Sequence, residues 1–218
     1  MSPRSFLLTD DLAAYVAGHV TSMDDVVASL IAETEALGPV SGMQIAVDQG
    51  RFLQLMATVT GARRAIEVGT FTGFSALCVA RGMGSDGRLV CCDVNEEWTS
   101  IGRRHWEMAG VADQIELVLA PAAGTIAALP AEPTFDLAFI DADKPGYWTY
   151  LDLLHPRLVP GAVVLVDNTL WSGAVVQPAD PGSDAAALQD FNDRVVADDR
   201  FESVILTIGD GLTMIRRK

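Results

Sequence analysis

The chain has 218 residues, with fifteen Lys and Arg against twenty-nine Asp and Glu, a formal charge of -14. Half of it is hydrophobic and a fifth is charged, which argues against a disordered chain or a coiled coil and supplies enough apolar surface for one full core. Acidity of this order repels phosphate backbones, and the densest basic cluster is Arg216, Arg217 and Lys218 at the very end, so no nucleic-acid partner is expected. Cys78, Cys91 and Cys92 sit in apolar runs without a CxxC spacing and read as reduced core residues. The opening MSPRSFLLTDD lacks the apolar stretch of a signal peptide, and no run approaches a membrane span. The expectation is one soluble, cytoplasmic domain over residues 1–218, with no membrane partner.

In chain order, residues 10–37 carry helical spacing with few breakers and close on Gly38-Pro39. A second helix is predicted over 47–59. A compact strand, 64–69, is followed by a helix over 74–83. The alternation continues with strand 88–93, helix 95–108, strand 115–119, helix 122–129, strand 135–141, helix 146–158 and strand 162–167. Short, nearly all-apolar strands separated by helices indicate a parallel sheet covered on both faces. After a Gly/Pro/Asp-rich loop and a helix ending near Asp199, strands 201–208 and 212–216 flank Gly209-Asp-Gly211. That is a hairpin signal and predicts an antiparallel edge.

Open sheets of this kind bind ligands beyond the carboxyl ends of their strands, and the informative residues lie there. Glu67-Val-Gly-Thr-Phe-Thr-Gly-Phe-Ser75 after the first strand is a tight turn fit to approach a ligand, with helical N–H groups behind it. Phe71 stands where a dinucleotide GxGxxG motif needs glycine, which weakens an NAD reading. Asp93 ends the second strand, either as acceptor for both hydroxyls of a ribose or as N-cap of the next helix. Asp141, Asp167 and Asn168 end two further strands. They offer three hard oxygens that suit Mg²⁺ or Mn²⁺ better than zinc and leave about three octahedral positions open, two for a vicinal diol and one for water. Lys144 stands beside them as a base or as a cationic partner for a phenolate. Taken singly these acids also read as helix caps and surface residues.

EVGTFTGFS, IDADKPGYWTY, VDNTLWSG and the closing GDGLTMIRRK, in that order, resemble the metal-dependent, class-I-like O-methyltransferases that include the caffeoyl-CoA and catechol O-methyltransferases. The resemblance runs from Met43 to the C-terminus. It implies a Rossmann-like doubly wound α/β fold, with a mostly parallel seven-stranded sheet, an antiparallel C-terminal hairpin and extra N-terminal helices. It also implies S-adenosylmethionine as methyl donor, a divalent metal (Mg²⁺ first, then Mn²⁺ or Ca²⁺), and a homodimer. Residues 1–42 would form a lid or dimer segment. By the same resemblance Asp141, Asp167 and Asn168 are the metal ligands, and Lys144 deprotonates the acceptor. Glu67, Gly69, Thr70 and Ser75 line the donor's methionine end, Asp93 takes its ribose, and Ala122 lies beside its adenine. Ile45 and Asp143 are further donor-pocket positions, while Met43 and Trp171 form the wall between donor and acceptor.

Two departures bear on the acceptor. The family's plant enzymes keep a basic, tyrosine-containing segment where this chain has Asp180-Pro-Gly-Ser-Asp-Ala-Ala-Ala187, and Ser172 replaces the asparagine usual after the tryptophan. A CoA ester brings phosphate charges that this stretch meets only with acids, so a small free phenol or catechol is expected. A phenol of pKa near 10 is ionised in about one molecule per thousand at pH 7, a gap of about 4 kcal/mol, most of which a coordinated divalent cation would supply. The competing readings are an NAD-linked oxidoreductase on the same sheet and a non-catalytic binder. The three histidines lack ligand spacing, and Trp98, Trp106 and Trp148 read as packing residues away from the site.

Overall fold

A computed structural model describes residues 9–218; the first eight residues of the predicted N-terminal segment lie outside it. The elements are α1 (Asp10–Gly18), α2 (Asp25–Glu35), α3 (Val47–Thr60), β1 (Arg64–Val68), α4 (Phe74–Met83), β2 (Arg88–Asp93), α5 (Glu96–Met108), β3 (Ile115–Leu119), α6 (Ala122–Ala128), β4 (Phe135–Ile140), α7 (Tyr147–Leu154), β5 (Leu158–Val166), α8 (Asp184–Ala197), β6 (Phe201–Leu206) and β7 (Leu212–Arg217). They build one seven-stranded sheet in the order β3-β2-β1-β4-β5-β7-β6. β1 to β5 pair in parallel, and β7 runs antiparallel between β5 and β6. This is the mostly parallel sheet with an antiparallel edge that the strand pattern predicts. No described helix is long and apolar enough to cross a membrane.

Period-two alternation along the central strands divides the core into two layers. Ala65, Leu137, Phe139, Val163 and Leu165 face one layer, where α3, α4 and α5 bring Leu53, Phe74, Leu77 and Trp106. Ile66, Val68, Ala138, Ile140, Val164 and Val166 face the other, against Ile126, Tyr147, Leu151, Leu188 and Phe191 from α6, α7 and α8. Full burial of one such side chain is worth about 1.5–3 kcal/mol.

Three boundaries differ from the sequence expectation. The run over 10–37 is two helices, because Asp24 accepts from Val27 N–H and starts α2 afresh; Arg81 holds that carboxylate from α4 at 2.7 Å. The helix expected over 146–158 is shorter. A 3-10 turn, Lys144–Gly146, precedes α7, and a second, His155–Arg157, follows it, with Pro156 supplying no N–H. β5 begins at Leu158 rather than Ala162 through a register shift against β4: Phe135 pairs with Leu158, but Leu137 pairs with Val163. Gly161 absorbs that irregularity at φ 84°.

Candidate active site

Strand order reverses between β1 and β4, and a cavity of about 960 Å³ opens beyond their carboxyl ends. β1 leads into it through Gly69, whose φ is 86°. Phe71 takes a left-handed φ of 50° in the same turn, so a bulky residue holds the conformation glycine would provide in GxGxxG. The cause is Asp93. Its Oδ2 accepts from the N–H groups of Thr70 and Phe71 at 2.9 Å each, and its Oδ1 accepts from Val94 and Asn95 at 2.7 and 2.8 Å. The carboxylate thus binds the first turn to the second. The N-cap alternative is corrected: Asn95, not Asp93, caps α5, accepting from Trp98 N–H.

Glu67 departs from the expected arrangement. On β1 it points with Ala65 toward the α4 side of the sheet and is fully buried behind the turn, outside the lining of the cavity. Both carboxyl oxygens lack a hydrogen-bond partner. Burial pushes the group up to about 8; the nearby hydroxyls of Ser75 and Thr70 pull it down, and the charges of Asp141 and Asp93 push it up.

Next to the Gly69 turn, Asp141 N–H donates to Val68 O at 2.8 Å and Asp167 N–H to Ile140 O at 2.9 Å, so the sheet's own ladder carries both carboxyls to neighbouring strand ends. Asn168 follows with a left-handed φ of 56°. Lys144 Nζ, 8% exposed, donates to Asp141 Oδ1 at 3.1 Å, Asn168 Oδ1 at 2.6 Å and Tyr147 Oη at 2.6 Å. Tyr147 Oη in turn donates to Asp167 O at 3.0 Å. All three hydrogens of an ammonium are therefore engaged. Burial drives both carboxyls upward: Asp141 against the pull of Lys144, Asp167 to about 7 with the Asp141 charge as second cause. Two mutually repelling carboxyls and an amide oxygen form a hard-oxygen set that calls for positive charge and fits a divalent cation such as Mg²⁺. Among the described residues no three His, Cys, Asp or Glu side chains gather as a metal site; the set counts two carboxyls and the Asn168 amide oxygen.

The cavity brings together Gly69, Thr70, Ser75 and Asp93 from the first two turns, and Asp141, Asp143, Lys144, Asp167 and Asn168 from β4 and β5. Met43 and Ile45 close it from the N-terminal side, Ala122 from α6, and Trp171 from the loop after β5. Ser172 is not in this wall. It lies exposed with φ 49° beside a shallower hollow of about 480 Å³, its N–H donating to Asp210 Oδ1 at 2.6 Å. Trp98 corrects its reading as a packing residue: it lines the cavity and meets Phe71 edge-on with ring centres 5.2 Å apart. Tyr147, Tyr150, Gln44 and Gln49 were not anticipated either. Tyr150 Oη donates to Asp143 Oδ1 at 2.5 Å, and the three-residue steps from Lys144 through Tyr147 to Tyr150 were the available signal, a single face of one helical stretch.

Residues 18–218 match the family model described as O-methyltransferase. The chain belongs to that family. It is 34% identical to caffeoyl-CoA O-methyltransferase 2 of Zea mays, over 98% of this chain and 85% of that one. It is 39% identical to tricin synthase 1 of Oryza sativa subsp. japonica, over 80% of this chain and 75% of that one. Among solved structures, the O-methyltransferase from Bacillus cereus in complex with SAH superposes with a TM-score of 0.86 at 28% identity, covering 95% and 97% of the two chains. The family match leaves the oxidoreductase reading without support, and the site described above is the candidate active site of an O-methyltransferase.

Proposed function

We propose that this O-methyltransferase transfers the methyl group of S-adenosylmethionine to one hydroxyl of a small, free catechol-like acceptor, with a divalent cation assisting. The observation that carries the reading is the convergence of Lys144 with Asp141 and Asn168 in the same cavity that the Gly69 turn and Asp93 line. The donor supplies an electrophilic methyl: its carbon–sulfur bond breaks as the new carbon–oxygen bond forms, releasing S-adenosylhomocysteine. Asp141, Asp167 and Asn168 are the residues that would hold the cation, which supplies Lewis acidity toward the acceptor hydroxyl.

The chain's own residues do the rest. Lys144 acts as the base from its free-amine form: the Nζ lone pair takes the acceptor's proton, and the ammonium so formed, held by Asp141, Asn168 and Tyr147, faces the phenolate. Trp171, with Lys144 Nζ 5.5 Å from its ring centre, and Met43 wall the acceptor in and exclude water. Asp184 and Asp210 also line the cavity. Their charge disfavours a phosphate-bearing CoA ester and supports a free phenol.

The test is methyl transfer from labelled S-adenosylmethionine to a panel of neutral catechols, with Mg²⁺ and then with EDTA. The expected result is product with Mg²⁺, lost with EDTA and with Asp141→Ala. Transfer unaffected by both would overturn the metal-assisted mechanism.

A further inference from the structure

Tyr150, on α7, is 8% exposed and packs in the layer that holds Tyr147 and Leu151, yet it also lines the cavity. A phenylalanine would serve that packing equally well. What the hydroxyl adds is one bond, Oη donating to Asp143 Oδ1 at 2.5 Å. Burial, and then the Asp143 carboxylate, push the Tyr150 phenol above its ordinary range, so the group stays a donor. Asp143 is fixed on its second oxygen as well. A Cβ on Gly146 would stand 2.7 Å from Asp143 Oδ2 and 2.5 Å from the Tyr150 ring, so only a bare glycine lets phenol and carboxylate close over the 3-10 turn.

The carboxylate so held is exposed to the cavity and takes no other side-chain donor among the described residues. Its neighbours are already committed. Asp93 accepts two N–H groups on each oxygen, and Asp141 is engaged by Lys144. A carboxylate has about four acceptor positions, so Asp143 keeps most of its capacity for a ligand. It also lies beside the glycine turn, since a Cβ on Gly69 would stand 3.3 Å from Ala142 Cα, one residue before it. The methyl donor brings an ammonium on its amino-acid end, and an ammonium bonds best to a charged acceptor. We infer that Tyr150 is a positioning residue for the donor: its O–H fixes Asp143 in the orientation that accepts from the ammonium of S-adenosylmethionine. The inference rests on S-adenosylmethionine as donor and deepens that reading.

The experiment is a double-mutant cycle with Tyr150→Phe and Asp143→Asn, read by calorimetric affinity for S-adenosylhomocysteine. 5′-Methylthioadenosine, which keeps adenine and ribose but lacks the ammonium, is measured on the same four proteins by competition. The expected result is S-adenosylhomocysteine bound roughly 3- to 10-fold more weakly by Tyr150→Phe and roughly 10-fold or more by Asp143→Asn. The double variant should be no weaker than Asp143→Asn, and methylthioadenosine should bind all four alike. If Tyr150→Phe does not fold, Tyr150→Leu takes its place in the cycle. Wild-type affinity in Tyr150→Phe, losses that multiply in the double variant, or equal losses for methylthioadenosine each overturn this inference alone. Wild type that does not bind S-adenosylhomocysteine overturns the donor reading, and this inference with it.

Discussion

Gly69 lies against the main chain of Asp141 so closely that a Cβ on it would stand 1.8 Å from the Asp141 carbonyl oxygen. The Gly69 turn and the strand end that carries the Asp141 carboxylate are thus one packed unit.

Gly69→Ala should therefore damage both halves. Left-handed backbone costs an alanine about 1–2 kcal/mol, and the clash with backbone rather than a flexible side chain adds to it. We expect destabilisation of about 3 kcal/mol or more and loss of S-adenosylhomocysteine binding, read by thermal melting and calorimetry. A variant with normal affinity would show that the two strand ends separate freely.

Lys144→Met removes the cation from between Asp141 and Asn168. A fall in the single-turnover rate of roughly 10²- to 10⁴-fold is expected, with donor affinity retained. Lys144→Arg should not rescue, since a planar guanidinium cannot direct three hydrogens to Asp141, Tyr147 and Asn168 from one atom. Full activity of either variant would remove Lys144 from the chemistry.

Glu67 predicts an unusual pH dependence. Burial pushes its carboxyl up to about 8 from an ordinary 4.5, so between those values the folded state holds a proton that the unfolded state has released. Its contribution to stability is most favourable below about 4.5 and declines as pH rises toward 8, with a slope approaching 1.4 kcal/mol per pH unit at most. Glu67→Gln, which cannot ionise, should lack this slope. Thermal melts of both proteins at pH 5, 6.5 and 8 test it: the wild type should lose ground to the variant at each step, and parallel curves would refute the assignment.

Trp98 lines the cavity on the Asp93 side, far along the chain from Lys144. Trp98→Ala should weaken S-adenosylhomocysteine binding by roughly 10-fold or more, as loss of an aromatic contact does. The maximal rate at saturating donor should change little. A reversed pattern, with rate lost and affinity kept, would place Trp98 at the acceptor instead.

Much of this site was legible in the chain because a parallel sheet converts sequence position into spatial position. Neighbouring strands lie about 4.8 Å apart, so residues ending β1, β2, β4 and β5 must gather at one edge, and apolar runs alternating with helices were enough to find Gly69, Asp93, Asp141 and Asp167. Phe71 shows where pattern falls short: it breaks the glycine motif yet adopts the left-handed turn, because Asp93, twenty-two residues on, accepts its N–H.

The one-dimensional pattern also determined the layers, through period-two burial along β1, β4 and β5 and the glycines that permit turns. Tertiary structure alone decided which partner each polar group takes. It turned Glu67 away from the cavity, seated Lys144 on Asp141, Asn168 and Tyr147, brought Trp98 into the wall, and set Tyr150 against Asp143. Periodicity places a residue on a face, because that depends on local backbone geometry. Hydrogen-bond partners come from elements distant in sequence, and only their packing brings donor and acceptor within reach.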